Sequence, residues 1–473
     1  MSNGIRTKFY ADIMAFHPEV TGSLLLVVVK YPDGRTTKFI VDCGLFQERK
    51  YSEYNKVLPF EAETLDFVLV THNHIDHTGR LPLLVKNGFN NNIYLTNQTK
   101  PFIRYALKDS FKVLRNTAKR DNEKVLYSED DVDKTLEKIV GCEYNDTIQI
   151  NPNVKVTFLS NGHLIGAAMI LVQLSCPGCE DINILFTGDY NNKNMFFDVL
   201  PVPEWVKKLP LTIVQESTYG TMDSTETKCC YKENVLKAIE NKKTVITPVF
   251  SLGRAQEILY ELKTLQRSGK LSKDVPIFLD GKLAIKYTEI YRTENLNIKE
   301  EMKDFVPENI VFVDKLSRPT ILKDENVKLI LTTSGMGTYG PAQTYIPEYL
   351  SRKNALIHFT GFTAEGSLGA KLRSAEKGKT VDVSGLILIK RADVEYTTEY
   401  SAHAKADEML EFLKQFQNIR FILVNHGENN VKESFAGRIR ENIKTRQVGI
   451  LGREYFFRID PYGFVKPLPT KFK

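Results

Sequence analysis

Short apolar runs that end in polar clusters dominate the first half of the chain. Residues 24–29 stand between Gly22-Ser23 and the turn signal Tyr31-Pro32-Asp33-Gly34, and read as a buried strand followed by a hairpin. Residues 65–71, 154–159, 182–187 and 211–215 are rich in Val, Ile, Leu or Phe and read as further strands. Each ends at a cluster containing His, Asp or Glu, and loops at strand ends display reactive side chains on a rigid scaffold. From about residue 221 the texture changes. Residues 244–250, 275–280 and 327–332 read as strands and 255–266 as a helix, an alternation that argues a parallel sheet with covering helices. Residues 406–416 then read as a helix, and Ile419–Asn425 as a strand running into His426.

Composition narrows the class without naming a function. A chain of 473 residues has room for at least two cores, and 42% apolar with 26% charged residues is ordinary globular composition. No apolar run is long enough for a secretory signal or a membrane span, so neither export nor membrane residence is expected. Six cysteines without a signal peptide favour a reducing, cytoplasmic setting, and Cys176-Pro177-Gly178-Cys179 reads as a hairpin turn with two incidental thiols. A net charge of +6 permits an acidic polymer as partner but does not demand one. Lys108, Lys112, Arg115 and Lys119 share one face of a helix whose Leu107, Phe111, Leu114 and Ala118 face the core; this is a solvated face first and a polyanion guide second.

The chemistry concentrates in histidine. Of eight histidines, three fall in Thr71-His72-Asn73-His74-Ile75-Asp76-His77. On a strand, His72 and His74 would point to one face, and the following turn would offer Asp76 and His77 to a second position. Imidazole and carboxylate donors together suit zinc, with manganese or iron as alternatives. His358 alternates with apolar neighbours and reads as a packed strand position, and His17, before Pro18, is assigned no role.

The motif, with those that follow it, resembles the metallo-β-lactamase superfamily: His163 in Asn161-Gly162-His163, Asp189 in Thr187-Gly188-Asp189, and the supporting Asp42-Cys43-Gly44. Gln215-Glu216-Ser217-Thr218, Pro248 to Glu257, Thr333-Ser334-Gly335-Met336, Gly361 to Gly369, Ser401-Ala402-His403-Ala404 and Asn425-His426-Gly427-Glu428 are similar to motifs of its β-CASP branch, which processes nucleic acids. The resemblance implies an α/β fold, an αββα metallo-β-lactamase sandwich (residues 1–217 and 397–473) interrupted by an inserted α/β cap domain (218–396). It implies two zinc ions, with manganese as the alternative, held by His72, His74, Asp76, His77, His163, Asp189 and His426. It implies hydrolysis of RNA, single-stranded by preference, with a hydroxide between the ions as nucleophile. Asp76, Glu216 and His403 are the expected catalytic residues, His403 acting as general acid paired with Glu216, which is expected to fix its tautomer and raise its pKa. Ser401, Ser334, Gly335, Thr363 and Ser367 are expected to hold flanking phosphates, and a homodimer is compatible. The chain reads as a compact endonuclease, with 5′-exonuclease activity unresolved. Two alternatives stay open: a thioester or lactam hydrolase, and a catalytically weak RNA-binding paralogue. Lys405, where relatives carry Asp, is expected to depress the pKa of His403 or to contact phosphate, while Thr363 for Gln and Ala370 for Arg thin the basic lining.

Overall fold

The computed structural model describes residues 9–17, 19–361, 363, 366–462 and 465–470. The chain forms two compact units, one from Met1–Asn194, Asp198–Ser224 and Ala402–Lys473, the other from Met195–Phe197 and Thr225–Ser401.

The first unit contains two sheets. One has eight strands in the order Val465–Pro469, Tyr455–Ile459, Tyr10–Ala15, Leu25–Lys30, Thr36–Val41, Phe67–Leu69, Ile93–Thr96, Ile139–Cys142. The other has seven: Gln447–Ile450, Ile419–Asn425, Leu211–Glu216, Ile182–Phe186, Ala168–Leu174, Val154–Ser160, Thr147–Asn151. Alternation along the strands gives each sheet two apolar faces. Val27, Phe39 and Leu69 of the first meet Val156, Ile170, Ile184 and Val214 of the second in one buried cluster. On the far side of the first sheet, Leu26, Ile40 and Val68 pack against Leu84, Leu107, Phe111 and Val132 from three helices. Behind the second, Leu171, Leu185, Ile213 and Ile422 pack against Met409, Leu413, Phe435 and Ile439. Helix, sheet, sheet, helix is therefore the layer order, with both sheets buried on both faces.

In the second unit, six parallel strands are ordered Ile310–Phe312, Ile277–Asp280, Leu329–Thr332, Thr244–Pro248, Ala355–Phe359, Asp393–Tyr396. Helices Arg254–Arg267 and Ala342–Leu350 belong to it, and Ile246, Ile330 and Ile357 share a core with Tyr345, Ile346 and Leu350. The strand expected over 244–250 stops at Pro248, which cannot donate to a ladder. His358 is packed as expected, with Nε2 at 3.1 Å from the Asn234 amide nitrogen and Nδ1 at 3.2 Å from the Phe359 carbonyl oxygen.

Among the described residues no helix is long and apolar enough to cross a membrane. Cys176 and Cys179 occupy the connection between two antiparallel strands, where the Cys179 N–H donates to the Cys176 carbonyl (3.0 Å). On helix Lys100–Asp121, Lys112, Arg115 and Lys119 are exposed, while Lys108 is half-buried and pairs with Asp133 at 2.8 Å.

Candidate metal centre

Strands Val154–Ser160, Ile182–Phe186, Leu211–Glu216 and Ile419–Asn425 run in the same direction. Their C-terminal ends therefore share one edge of the second sheet, and there the chain places His163, Asp189, Glu216 and His426. In the first sheet Thr36–Val41 and Phe67–Leu69 are parallel, and their ends deliver Asp42 and the His72–His77 segment.

That segment differs from the expected strand. The ladder ends at Leu69, so His72 and His74 are loop residues, and Ile75–Thr78 forms one turn of helix carrying Asp76 and His77. Two neighbouring loops hold this turn: the Ser23 N–H donates to Asp76 O (2.8 Å), Cys43 to His77 O (2.7 Å) and Leu45 to Ile75 O (3.0 Å). The approach is so close that a Cβ on Gly44 would lie 1.5 Å from Asp76 O, which explains glycine there. Arg80, fully buried, ties the Gly44 loop to the short helix Arg49–Lys56 by donating to the carbonyls of Gly44, Tyr54 and Val57. Asp42, in the left-handed region (φ 63°), accepts from the Thr71 N–H and hydroxyl (2.8 Å each), and its Oδ2 lies 2.7 Å from His77 Nδ1. A proton on Nδ1 thus turns the lone pair of His77 Nε2 toward Asp189 Oδ2, 3.2 Å away.

Two groups of ligand atoms converge. In the first, His74 Nδ1 lies 3.2 Å from His72 Nε2 and 3.1 Å from His163 Nε2. Asp189 Oδ2 is 3.8 Å from His72 Nε2 and 4.0 Å from His163 Nε2. The second comprises Asp76, His77 and His426. Asp189 stands between the groups, its Oδ1 at 3.1 Å from His426 Nδ1. His163 donates Nδ1–H to the Ala402 carbonyl (2.9 Å), and the Thr218 hydroxyl lies 3.2 Å from His426 Nδ1. All seven expected ligands meet here.

Electrostatics favour a cation. Burial, then neighbouring imidazoles, hold His72 and His163 well below the ordinary histidine range, and burial takes His74 and His426 to about 3, so these rings are neutral donors. Burial raises Asp76 to about 6. For His77 burial lowers the pKa, but the Asp189 and Asp42 carboxylates outweigh it and raise it. His77 Nε2 and Asp189 Oδ1 are buried without a hydrogen-bond partner. A tetrahedral ion at Zn–N of about 2.0–2.1 Å sets its ligand atoms about 3.3 Å apart. The 3.1–3.2 Å nitrogen spacings match that, so the donor set fits metal.

Beside the first group, His403 Nδ1 faces both oxygens of Glu216 (3.1 and 3.0 Å). Glu216 is buried and also accepts the Tyr190 N–H (2.7 Å). Burial lowers the pKa of His403, yet Glu216 outweighs it and raises the value to about 9. The raise runs as expected from Glu216 and opposite to the depression weighed for Lys405, which is buried and donates its backbone N–H to Glu408 (2.9 Å) at the start of helix Ala406–Lys414.

The five expected phosphate contacts lie in the second unit. Ser334 Oγ accepts the Tyr339 N–H (3.2 Å), Thr363 Oγ1 accepts from Arg373 (2.8 Å), and Ser367 Oγ caps helix Leu368–Ser374 (3.2 Å to the Ala370 N–H). A Cβ on Gly335 would meet the Phe250 ring at 2.7 Å, and Ser401 is half-buried. Sequence reasoning missed Thr71, Asn161 and Thr218. Asn161 spans the centre, accepting the His163 N–H (3.1 Å) and donating to Asp189 O (3.1 Å). Their only sequence signal was adjacency to ligand motifs.

Comparison with known proteins agrees with this geometry. Residues 33–198 match the metallo-β-lactamase superfamily domain, 255–372 the β-CASP domain, and 389–448 the Zn-dependent metallo-hydrolase RNA specificity domain. The RNase J-like protein of Methanocaldococcus jannaschii is 30% identical, over 86% of this chain and 91% of its own. A ribonuclease of Thermus thermophilus is 29% identical, over 87% and 91% respectively. Endoribonuclease ysh1 of Schizosaccharomyces pombe is 29% identical over 83% of this chain, which spans 51% of that protein's length. The chain belongs to the β-CASP family of RNA-processing nucleases, within the metallo-β-lactamase superfamily.

Proposed function

We propose that the protein is a zinc-dependent ribonuclease that cuts phosphodiester bonds of single-stranded RNA in the cytoplasm. His72, His74, His163 and Asp189 would hold one ion, and Asp76, His77 and His426, with Asp189 shared, the second. Bound there, the two cations supply charge to the scissile phosphate and lower the pKa of water. The observation that carries the reading is the Glu216–His403 pair beside the first ligand group. A thioester or lactam hydrolase has no need of a cationic acid at that place, whereas an RNA sugar oxygen leaves far more readily when it receives a proton.

His403 supplies that proton. Its Nδ1–H bonds Glu216, which fixes the ring, and its raised pKa keeps Nε2 protonated at neutral pH until the leaving oxygen takes the proton. Asp42 fixes the tautomer of His77 and the Ala402 carbonyl that of His163, whose backbone Asn161 holds in place. Ser334, Thr363 and Ser367 each accept a hydrogen bond through the hydroxyl oxygen, which leaves the O–H to donate to a flanking phosphate, and Gly335 and Ser401 would take the same role through backbone N–H and hydroxyl. All six cysteines are free thiols, in keeping with a reducing compartment.

End-labelled single-stranded RNA and a thioester and lactam panel, incubated with the zinc-loaded protein, test the reading. RNA cleavage with inert thioesters and lactams is expected. Thioester turnover with intact RNA would contradict it. Products mapped from RNA with 5′-monophosphate, 5′-triphosphate and 5′-hydroxyl ends distinguish endonuclease from 5′-exonuclease action.

A further inference from the structure

His17 has no part in the chemistry above, yet it lies against the second ligand group. Its side chain is 1% exposed. Its Nδ1 accepts the Leu24 backbone N–H at 3.1 Å. A ring nitrogen that accepts carries no proton, so the proton of His17 is on Nε2. That N–H is buried without a hydrogen-bond partner. Its ring neighbour is His426, with centroids 6.0 Å apart and planes at 61°. His426 turns Nδ1 toward Asp189, and its own Nε2 is also buried without a hydrogen-bond partner. Two unmatched polar edges on adjacent buried rings are unusual, because buried polar groups nearly always pair with protein or water.

We propose that His17 is a positioning residue for the second ion: its Nε2–H and His426 Nε2 share one buried water, which holds the His426 ring with Nδ1 toward Asp189. A water suits the task better than a direct bond. It accepts from His17 in every case, and it donates to His426 Nε2 or accepts from it according to which nitrogen of His426 carries the proton. His426 is strained backbone as well as a ligand (φ 48°), so its ring needs an outer anchor beyond the Thr218 hydroxyl.

The inference rests on the proposal that His426 ligates a metal, and the experiment separates the two. Zinc affinity is measured by chelator competition for the wild-type chain, His17→Phe and His17→Gln. Phe keeps a ring of similar bulk and loses the donor. Gln keeps both an acceptor for the Leu24 N–H and a donor toward His426. The wild type binds two ions; His17→Phe binds the second about 10–100-fold more weakly, and His17→Gln restores most of that loss. Two ions held as tightly by His17→Phe as by the wild type overturn the role of His17 alone. Fewer than two ions in the wild type overturn the metal assignment and the inference with it. A crystal structure of the zinc-loaded wild type decides without a variant: an ordered water within hydrogen-bond distance of both Nε2 atoms supports the proposal, and a dry contact refutes it.

Discussion

Glu216→Gln offers the sharpest test of the acid. The carboxylate meets His403 Nδ1 through both oxygens, and it is the main influence that raises the ring to about 9 against the pull of burial. A neutral amide keeps the shape and an acceptor but loses the charge, so the ring falls back to about 6.5 or below. At pH 8 a group of pKa about 9 is about 90% protonated and one of pKa about 6.5 about 3%, so the variant has about 30-fold less acid, or about 2 kcal/mol. At pH 6 the two differ by less than about twofold. Single-turnover cleavage of a labelled RNA, with zinc saturating, is measured from pH 6 to 9. The deficit should grow with pH, because a raised pKa keeps the proton bound below it and loses it only as pH passes the folded value. A deficit that is the same at every pH would show that Glu216 does not act through the protonation of His403.

Three further outcomes follow from the same geometry. His403→Ala removes the proton donor and no ligand, so metal analysis should find both ions while turnover falls about 10²–10⁴-fold; unchanged turnover removes His403 from the mechanism. Asp42→Ala strips His77 and Thr71 of their shared acceptor, and zinc titration should show affinity lowered about 10–100-fold, with unaltered affinity as the refuting result. Gly44→Ala places a methyl group 1.5 Å from Asp76 O, so thermal melts should show a loss of at least about 1–3 kcal/mol; a wild-type melt would mean that the loop relaxes freely.

The proposed metal ligands were legible because they crowd into a short motif or sit at strand ends, and strand ends are visible as apolar runs stopping at polar residues. Their backbone was less so. One helical turn, Ile75–Thr78, is too short to show a period, and the ladder before it stops at Leu69 because Asp42 in another strand's exit loop takes over the Thr71 N–H. Strand Tyr10–Ala15 escaped notice although its partners are Leu25–Lys30 and Tyr455–Ile459, from opposite ends of the chain, and pairing at that separation leaves no local mark. Arg80 and His17 show the same limit. Arg80 sits after Gly79 like a surface residue, yet the carbonyls of Gly22, Gly44, Tyr54 and Val57 solvate it in the interior. His17 before Pro18 reads as loop, and its place beside His426 is fixed only by tertiary structure. The raised pKa of His403 was legible from its expected pairing with Glu216, whereas the depression weighed for Lys405 followed from nearness in sequence, and Glu216 is the neighbour in space.

The central claim is that seven side chains from both sheets form one two-ion centre, with Asp189 between the ions. Native mass spectrometry of the gently purified chain and of Asp189→Asn tests it directly. The account predicts two zinc ions per wild-type chain and loss of at least one in the variant, with RNA cleavage lost alongside. Less than one ion per wild-type chain, or two ions retained in Asp189→Asn, would contradict it.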